Sequence, residues 1–296
     1  IQNNRPDLCI VNGISGHQWR KLLDDDYCRN NIIIIRESPQ LSQFKSEENS
    51  LQMMMDKMRY YQNYIFVSYN VMCQWKELLN LNDDQVTYIP NCINEGKAQK
   101  AKEINKSLIQ NRLNFDSNKF NIICVASIQK RKGQDLIFNN IKNIINKMPK
   151  IHFHIVGKEK KPESEEMIST IPGNYMKYFT FHGSKKNALE YMRASDAMIL
   201  PSRSEAFPRV TLESMAVGTP TILSNVDGNT EQVTNNKTGK IFSNEDSDQM
   251  IDCINELYNS EKFRSQLADN ALNFYLSHFT RDKHINNFKL FFRKLN

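Results

Sequence analysis

The stretch Ala197-Met-Ile-Leu-Pro-Ser-Arg-Ser-Glu-Ala-Phe-Pro-Arg-Val-Thr-Leu-Glu-Ser-Met-Ala-Val-Gly218 decides the fold. Its first four residues are apolar and read as a short buried strand, and residues 201–207 as a polar loop at the strand's carboxyl end. Pro208 suits the first position of a helix, where its missing N–H costs no hydrogen bond. Leu212, Met215 and Ala216 follow at i, i+3 and i+4, one apolar face. Gly218 is placed to end the helix, and Pro220 blocks its continuation. Strand, polar loop and short helix in this order form the unit of a parallel α/β sheet, whose ligands gather at the carboxyl ends of the strands.

Working outward, the same alternation runs through the chain. Strands are expected at 121–126, 152–156, 178–182 and 221–224, with helices at 134–147, 188–194 and after Pro208. Towards the amino end, strands are expected at 8–11, 32–35, 64–68 and 86–89, with a helix over 42–61 that carries the core-filling triplet Met53-Met-Met55. Residues 94–114 are charged and show no apolar face for most of their length, so they read as an interdomain connection. A basic, aromatic-rich helix over 281–295, with Phe288, Phe291 and Phe292, is expected to pack back on the first domain. The fold class is thus α/β. Its expected divisions are a first domain with connection at 1–114, a second at 115–278, and the returning helix at 279–296.

The bulk composition agrees. Of 296 residues, 40% are apolar and 24% charged, the balance of a globular protein with room for two cores. The longest aliphatic run, Ile32-Ile-Ile-Ile35, is far too short to cross a bilayer. No amino-terminal secretion pattern appears, and the chain opens on Ile1 rather than Met, as a fragment or processed form does. The six cysteines form no C-x-x-C pair, which fits reduced, buried thiols in a cytoplasmic protein. A net charge of +6 suits a phosphorylated ligand or the anionic inner face of a membrane, and is no nucleic-acid footprint.

Two acids, Glu205 in the loop and Glu213 in the helix, flank the helix start. Free N–H groups and the positive dipole end there make a site for a diphosphate. Carboxylates on either side have room for sugar hydroxyls and ribose hydroxyls. Taken singly, each acid reads more readily as a solvated surface residue.

Here the sequence resembles a family. Glu205-Ala-Phe-Pro-Arg-Val-Thr-Leu-Glu213 is similar to the Glu-x7-Glu motif of the family 4 retaining glycosyltransferases. Val125-Ala-Ser-Ile-Gln-Lys-Arg-Lys-Gly133, His152-Phe-His-Ile-Val-Gly157, Phe181-His-Gly183, Ala194-Ser-Asp-Ala-Met-Ile-Leu-Pro-Ser202, Ala216-Val-Gly-Thr-Pro220 and Gly228-Asn-Thr-Glu231 with Thr238-Gly239 follow in that family's order. The resemblance covers residues 120–245. It implies a GT-B architecture, two Rossmann-like parallel-sheet domains facing a cleft, the first apparently incomplete here. It also implies transfer of a hexose from a nucleoside-diphosphate sugar to a saccharide or lipid-linked acceptor, with retention, in the making of cell-surface polysaccharide or glycoconjugate.

By the same resemblance, Glu205 holds the donor sugar and Glu213 the ribose. Backbone amides around residues 207–210 cradle the diphosphate and Lys132 neutralises it, with Phe207, Pro208, Arg209, Val210 and Thr211 in the substrate-binding set. Gly157, at the end of its strand, and Arg131 join the substrate-binding set. The donor is a co-substrate, and no cofactor or metal is implied; the chain holds no Asp-x-Asp. Two positions depart from the family. Ser127 stands where an arginine is usual, five residues before Lys132, with Lys130 and Arg131 as the candidate replacements. Arg36-Glu37-Ser38-Pro39 stands where a histidine is usual, leaving Arg36 and Glu37 either to contact sugar or acceptor or to form a local salt bridge.

The amino-terminal part resembles the acceptor domain through Arg5-Pro-Asp-Leu-Cys-Ile-Val-Asn12, residues 64–68 and Val86-Thr-Tyr-Ile-Pro-Asn91. Other chemistry finds less support. His152 and His154 share one face of a strand but lack a third zinc ligand near in sequence, and His17 is a lone loop histidine. No G-x-G-x-x-G or G-x-x-x-x-G-K-[ST] occurs, and Ser202 and Ser204 lack the glycines of a nucleophile elbow. Two alternatives to a transferase stand beside it: a non-catalytic nucleotide-sugar-binding or scaffolding subunit, and an NDP-sugar epimerase. The ordered motifs favour the transferase over the latter.

Overall fold

The structure, a computed structural model, describes residues 8–14, 30–40 and 51–295. It divides into two compact units. The first takes the described residues up to Asn91 together with 204–207 and 282–295; the second takes 92–203 and 208–281.

The first unit holds a four-stranded parallel sheet in the order β1 (Leu8–Asn12), β2 (Asn30–Ile35), β3 (Asn63–Phe66), β4 (Val86–Tyr88). Ile32, Ile33, Ile34 and Ile35 are all buried, which is what a central strand of a parallel sheet requires when both faces are covered. Helix α1 (Leu51–Met58) contributes Met54 and Met58 to the core, whereas Met53 is exposed, so only the middle of the methionine triplet fills the interior. The expected helix residues 42–50 lie outside the described residues, as do His17 and Cys28. Helix α2 (Tyr69–Leu79) starts on Ser68, whose hydroxyl accepts from the Val71 N–H, and buries Val71 and Trp75. Of the described cysteines, Cys124 and Cys253 are buried as expected, while Cys73 on α2 is exposed.

The second unit opens with α3 (Glu95–Glu103) and α4 (Lys106–Arg112), the stretch read from sequence as a connection. Both helices pack within this unit. Ala98, Ala101 and Ile109 are buried, and Gln110 donates to the Ala194 carbonyl. Two alanines and one isoleucine make too small an apolar face for the charged pattern to reveal, so the division falls after Asn91 rather than near 114.

Six parallel strands follow: β5 (Phe120–Val125), β6 (Ile151–Val156), β7 (Phe179–Gly183), β8 (Ala197–Leu200), β9 (Thr221–Ser224) and β10 (Lys240–Phe242). Their order in the sheet is β10-β9-β8-β5-β6-β7. The chain therefore runs outward from β5 to β7, then returns to the other side of β5 with β8. Loops leaving two adjacent strands in opposite directions open a crevice at their carboxyl ends. Those loops begin at Ala126 and Pro201.

Between the strands lie α5 (Gln134–Asn139), α6 (Ile141–Lys147), α7 (Glu163–Ser169), α8 (Ala188–Ala194), α9 (Arg209–Val217) and α10 (Asn229–Gln232). The single helix expected over 134–147 is broken at Asn140. Its side-chain amide donates to the Leu136 carbonyl, the group that Asn140's own N–H would use in an unbroken helix. The chain closes with α11 (Ser247–Asn259), α12 (Glu261–His278) and α13 (Arg281–Leu295). Phe291 of α13 is buried, and residues 282–295 belong to the first unit.

Three histidines meet on the β6–β7 face. Asn121 donates its amide hydrogens to the Asp116 and Lys119 carbonyls, so its Oδ1 accepts from His154 Nε2 at 3.0 Å. Neutral His154 then accepts at Nδ1 from His182 Nε2, also at 3.0 Å. The Phe115 ring stacks on His154 at 3.6 Å. Among the described residues no group is arranged to hold a metal, so the cluster is a buried polar network. Burial is the main cause of the depressed pKa values, about 2 for His154 and about 4 for His152, with His182 also lowered.

A histidine kept neutral in the fold but free to charge in the unfolded chain stabilises the fold above pH ~6.5 and loses that contribution as the pH falls. The second unit is expected to lose stability from pH 6.5 down to 4.5, with a slope approaching about 1.4 kcal/mol per pH unit for His154. Urea titrations of wild type and His154→Gln across that range check this. Parallel pH profiles for the two proteins count against it.

Candidate active site

The crevice is built on two glycines. Gly133 has φ +69°, and a Cβ there would lie 1.8 Å from the Pro201 carbonyl oxygen. A Cβ on Gly157 would lie 1.8 Å from the Ala126 carbonyl oxygen. Only residues without side chains let these backbones come so close. Gly133 thereby seats the turn Lys130–Lys132 against the end of β8, and Gly157 lets β6 end beside Ala126 and Ser127.

Ser127 Oγ accepts from Gln129 Nε2 at 2.8 Å, and the buried Gln134 donates to the Ser127 carbonyl at 3.0 Å. The segment is thus fixed by neutral hydrogen bonds where the resembling family carries a cation. Of the two candidate replacements, Lys130 is turned towards α7. Its N–H donates to Glu163 at 2.9 Å, and its ammonium lies 3.7 Å from Glu166. Arg131 and Lys132 are half-buried.

Helix α9 begins at Arg209; Pro208 stands one residue earlier than expected, at the cap with extended backbone, gives no side-chain cap, and the first turn holds no acid. Among the described residues, the other helices of eight or more residues in the second unit, α3, α11 and α12, are each capped by an Asn, Asp or Ser side chain. The amides of Arg209 and Val210 stand at the first positions of α9, where no helical carbonyl reaches them. Thr211 is fully buried, with its hydroxyl unpaired in the interior. At its other end α9 closes as foreseen: Gly218, at φ +75°, donates to the Met215 carbonyl and Thr219 to that of Ser214.

Arg209 and Glu213, one turn apart, face a cavity of about 360 Å3 together with Asn94, Lys97, Lys185 and Lys186. Burial raises the Glu213 pKa, and the Arg209 charge opposes that rise. The three lysines and Asn94 were not singled out from sequence, because α3 and the loop after β7 approach α9 only in the fold. Asn94 Oδ1 accepts from the Lys97 N–H and so caps α3 beside the cavity.

Arg203 was also missed. Its guanidinium pairs with both Asp135 oxygens at 2.8 Å and with Glu245 at 2.8 Å, partners 68 and 42 residues away that no sequence motif links to it.

The remaining site residues lie in the first unit. Glu205 is only 7% exposed, so it is no solvated surface acid. Phe207 is buried, and its carbonyl accepts from Asn91 Nδ2 at 2.8 Å. Asn91 Oδ1 accepts in turn from Arg36, whose Nε donates to Asn12 at 2.6 Å. The Glu37 carboxylate takes the backbone N–H groups of Ile14 at 3.2 Å and Arg36 at 3.0 Å. Arg36 and Glu37 therefore brace the ends of β1 and β2, and Arg36 is tied through Asn91 to the Phe207 carbonyl.

Two parallel sheets, the larger with a strand-order reversal that opens a crevice at the strands' carboxyl ends, define an open α/β protein. Residues 105–274 match the family Glycosyl transferases group 1, and the chain belongs to that family. It is 26% identical over 193 residues to an uncharacterized glycosyltransferase of Methanocaldococcus jannaschii, covering 63% of this chain and 52% of that protein. It is 28% identical over 179 residues to the UDP-Gal:alpha-D-GlcNAc-diphosphoundecaprenol alpha-1,3-galactosyltransferase of Escherichia coli, covering 57% and 44%. The chain spans about half the length of these relatives. Among solved structures, HepE of Anabaena with UDP and glucose superposes with a TM-score of 0.84 at 17% identity, covering 98% of this chain and 77% of that one. The fold is that of the GT-B glycosyltransferases.

The two close glycine contacts give a direct test. Gly133→Ala adds an overlap costing about 1–3 kcal/mol to a left-handed backbone cost of about 1–2 kcal/mol. Gly218→Ala, where a Cβ meets open space, carries only the second. Denaturant midpoints are expected to rank wild type, Gly218→Ala, Gly133→Ala in falling order. Equal losses for the two variants would mean that the Pro201 contact is not tight.

Proposed function

We propose that this chain is the catalytic part of a retaining hexosyltransferase that takes its sugar from a nucleoside-diphosphate donor. The observation that carries the reading is the uncapped start of α9, next to Arg209 and the half-buried Glu213. Departure of a nucleoside diphosphate builds negative charge on its oxygens. Fixed amides and cations stabilise that charge without reorganising as it develops. On this reading the amides of Arg209 and Val210 hold the diphosphate, Lys132 neutralises it, Glu213 binds the ribose and Glu205 the donor sugar.

The relatives support the substrate classes. HepE was solved with UDP and glucose, and the Escherichia coli relative is named for a lipid-diphosphate-linked sugar acceptor. We propose a saccharide or lipid-linked saccharide acceptor, in polysaccharide or glycoconjugate synthesis, reached at an anionic membrane surface that the net charge of +6 would favour. Among the described residues no helix is long and apolar enough to cross a membrane.

Two measurements test the reading. Glu213→Ala is expected to weaken UDP binding roughly tenfold or more by calorimetry, the loss of charge-assisted hydrogen bonds to ribose. The same variant should bind 2′,3′-dideoxyuridine diphosphate as wild type does. Glu205→Gln is expected to lower sugar transfer by about 100-fold or more while leaving UDP affinity within about threefold. Transfer undiminished in Glu205→Gln, or a product of inverted anomeric configuration by NMR, would falsify the proposed chemistry.

A further inference from the structure

We infer that Arg203 is the positioning residue for Lys132: it holds the lysine's turn in register with the loop after β8 and does not itself meet the donor. The inference rests on the proposed role of Lys132 at the diphosphate.

Lys132 lies in a short turn pinned on both sides. Before it, the Lys130 carbonyl accepts from Arg203 Nη1, and the Arg131 carbonyl accepts from the Arg203 backbone N–H at 2.8 Å. After it, Gly133 packs directly on Pro201, and Asp135 at the start of α5 takes the guanidinium fork through two bonds of 2.8 Å. Arg203 thus closes the segment 130–135 from both ends. Its side chain is 17% exposed and that of Asp135 21%, so water screens this pair less than an ordinary surface pair.

The charge of Arg203 is already committed. Asp135 and Glu245 flank the guanidinium, and the hydrogen bond to Asp135 is the chief cause holding its pKa above the usual arginine value. A cation neutralised by two carboxylates has little left for a phosphate. Arg203 therefore does not stand in for the arginine missing at Ser127. That makes the placement of Lys132 matter more. Lysine is a poor substitute at 203, since a compact ammonium reproduces neither the fork to Asp135 nor the separate bond to Lys130.

The turn's own amides report on the clamp. The Lys132 N–H donates to the Gln129 carbonyl at 2.8 Å and the Gly133 N–H to that of Lys130 at 3.0 Å. In the full chain, well below its melting temperature, Arg203→Lys is expected to speed hydrogen exchange at these two amides roughly tenfold, with β9 still protected. Unchanged exchange there overturns the clamp, whatever the ligand does. UDP affinity then separates positioning from general support of the fold. Arg203→Lys is expected to weaken UDP binding about tenfold when Lys132 is present and less than about twofold in a Lys132→Met background. Equal weakening in both backgrounds shows that Arg203 does not act through Lys132, and overturns the inference. Failure of wild type to bind UDP instead overturns the donor-site reading, and the exchange measurement still decides whether the clamp exists.

Discussion

The carbonyl oxygen of Pro201 occupies the place where Gly133 would carry a side chain. That contact brings together the two loops at the reversal point of the six-stranded sheet. β5 and β8 are hydrogen-bonded neighbours, yet the chain reaches one from the other only through β6 and β7. Their loops must therefore be packed against each other by tertiary contact, with no help from nearness in sequence. A glycine with positive φ is the cheapest way to do so. The arginine two residues after Pro201 then reaches across to Asp135 and gives the contact its charge-assisted reinforcement.

The electrostatics of the second unit divide into committed and available charge. Arg203, Lys106 and Lys240 each sit against a carboxylate, and such pairs contribute to the arrangement of the chain rather than to any ligand. The cations around Glu213 are of another kind. Lys97, Lys185, Lys186 and Arg209 share one cavity with a single acid, beside a helix start without a cap. Packing positive charge there costs the fold some repulsion, which an anionic ligand relieves. The buried histidine network marks the opposite solution, in which burial keeps the imidazoles neutral and the cluster needs no counter-ion.

The elements most legible in the sequence were those whose signal is local. Strands 197–200 and 221–224, helices 188–194 and 281–295, and the glycine closure of α9 fall where the apolar runs and the Pro and Gly punctuation place them. Signals spread over distant segments were lost. Helices α3 and α4 bury only a few small residues, so their charge made them look like a linker. Asn140 breaks a helix by a side-chain bond that its propensity alone does not reveal. For the site, the resemblance brought out Glu205, Glu213 and the turn at Lys132, but not Arg203. An ion pair between residues 68 positions apart leaves no periodic trace, and its worth depends on a burial that exists only after folding. The exposed Cys73 is a smaller case of the same kind, since which face of α2 it occupies was not decided by composition.

Arg36 and Glu37 show how charged residues at a strand end are engaged by the fold. They stand where the resembling family carries a histidine, which left either contact with sugar or acceptor or a local salt bridge open. The structure engages both side chains with protein. Glu37 satisfies two backbone N–H groups, of Ile14 and Arg36, at the point where β1 and β2 end. A carboxylate holding two amides is costly to withdraw, because removing it leaves both donors unpaired. Arg36 bonds Asn12 and Asn91, and Asn91 turns its amide to the carbonyl of Phe207, two residues after Glu205. What Arg36 offers the loop is therefore geometry. It fixes the asparagine whose amide holds the backbone two residues after Glu205.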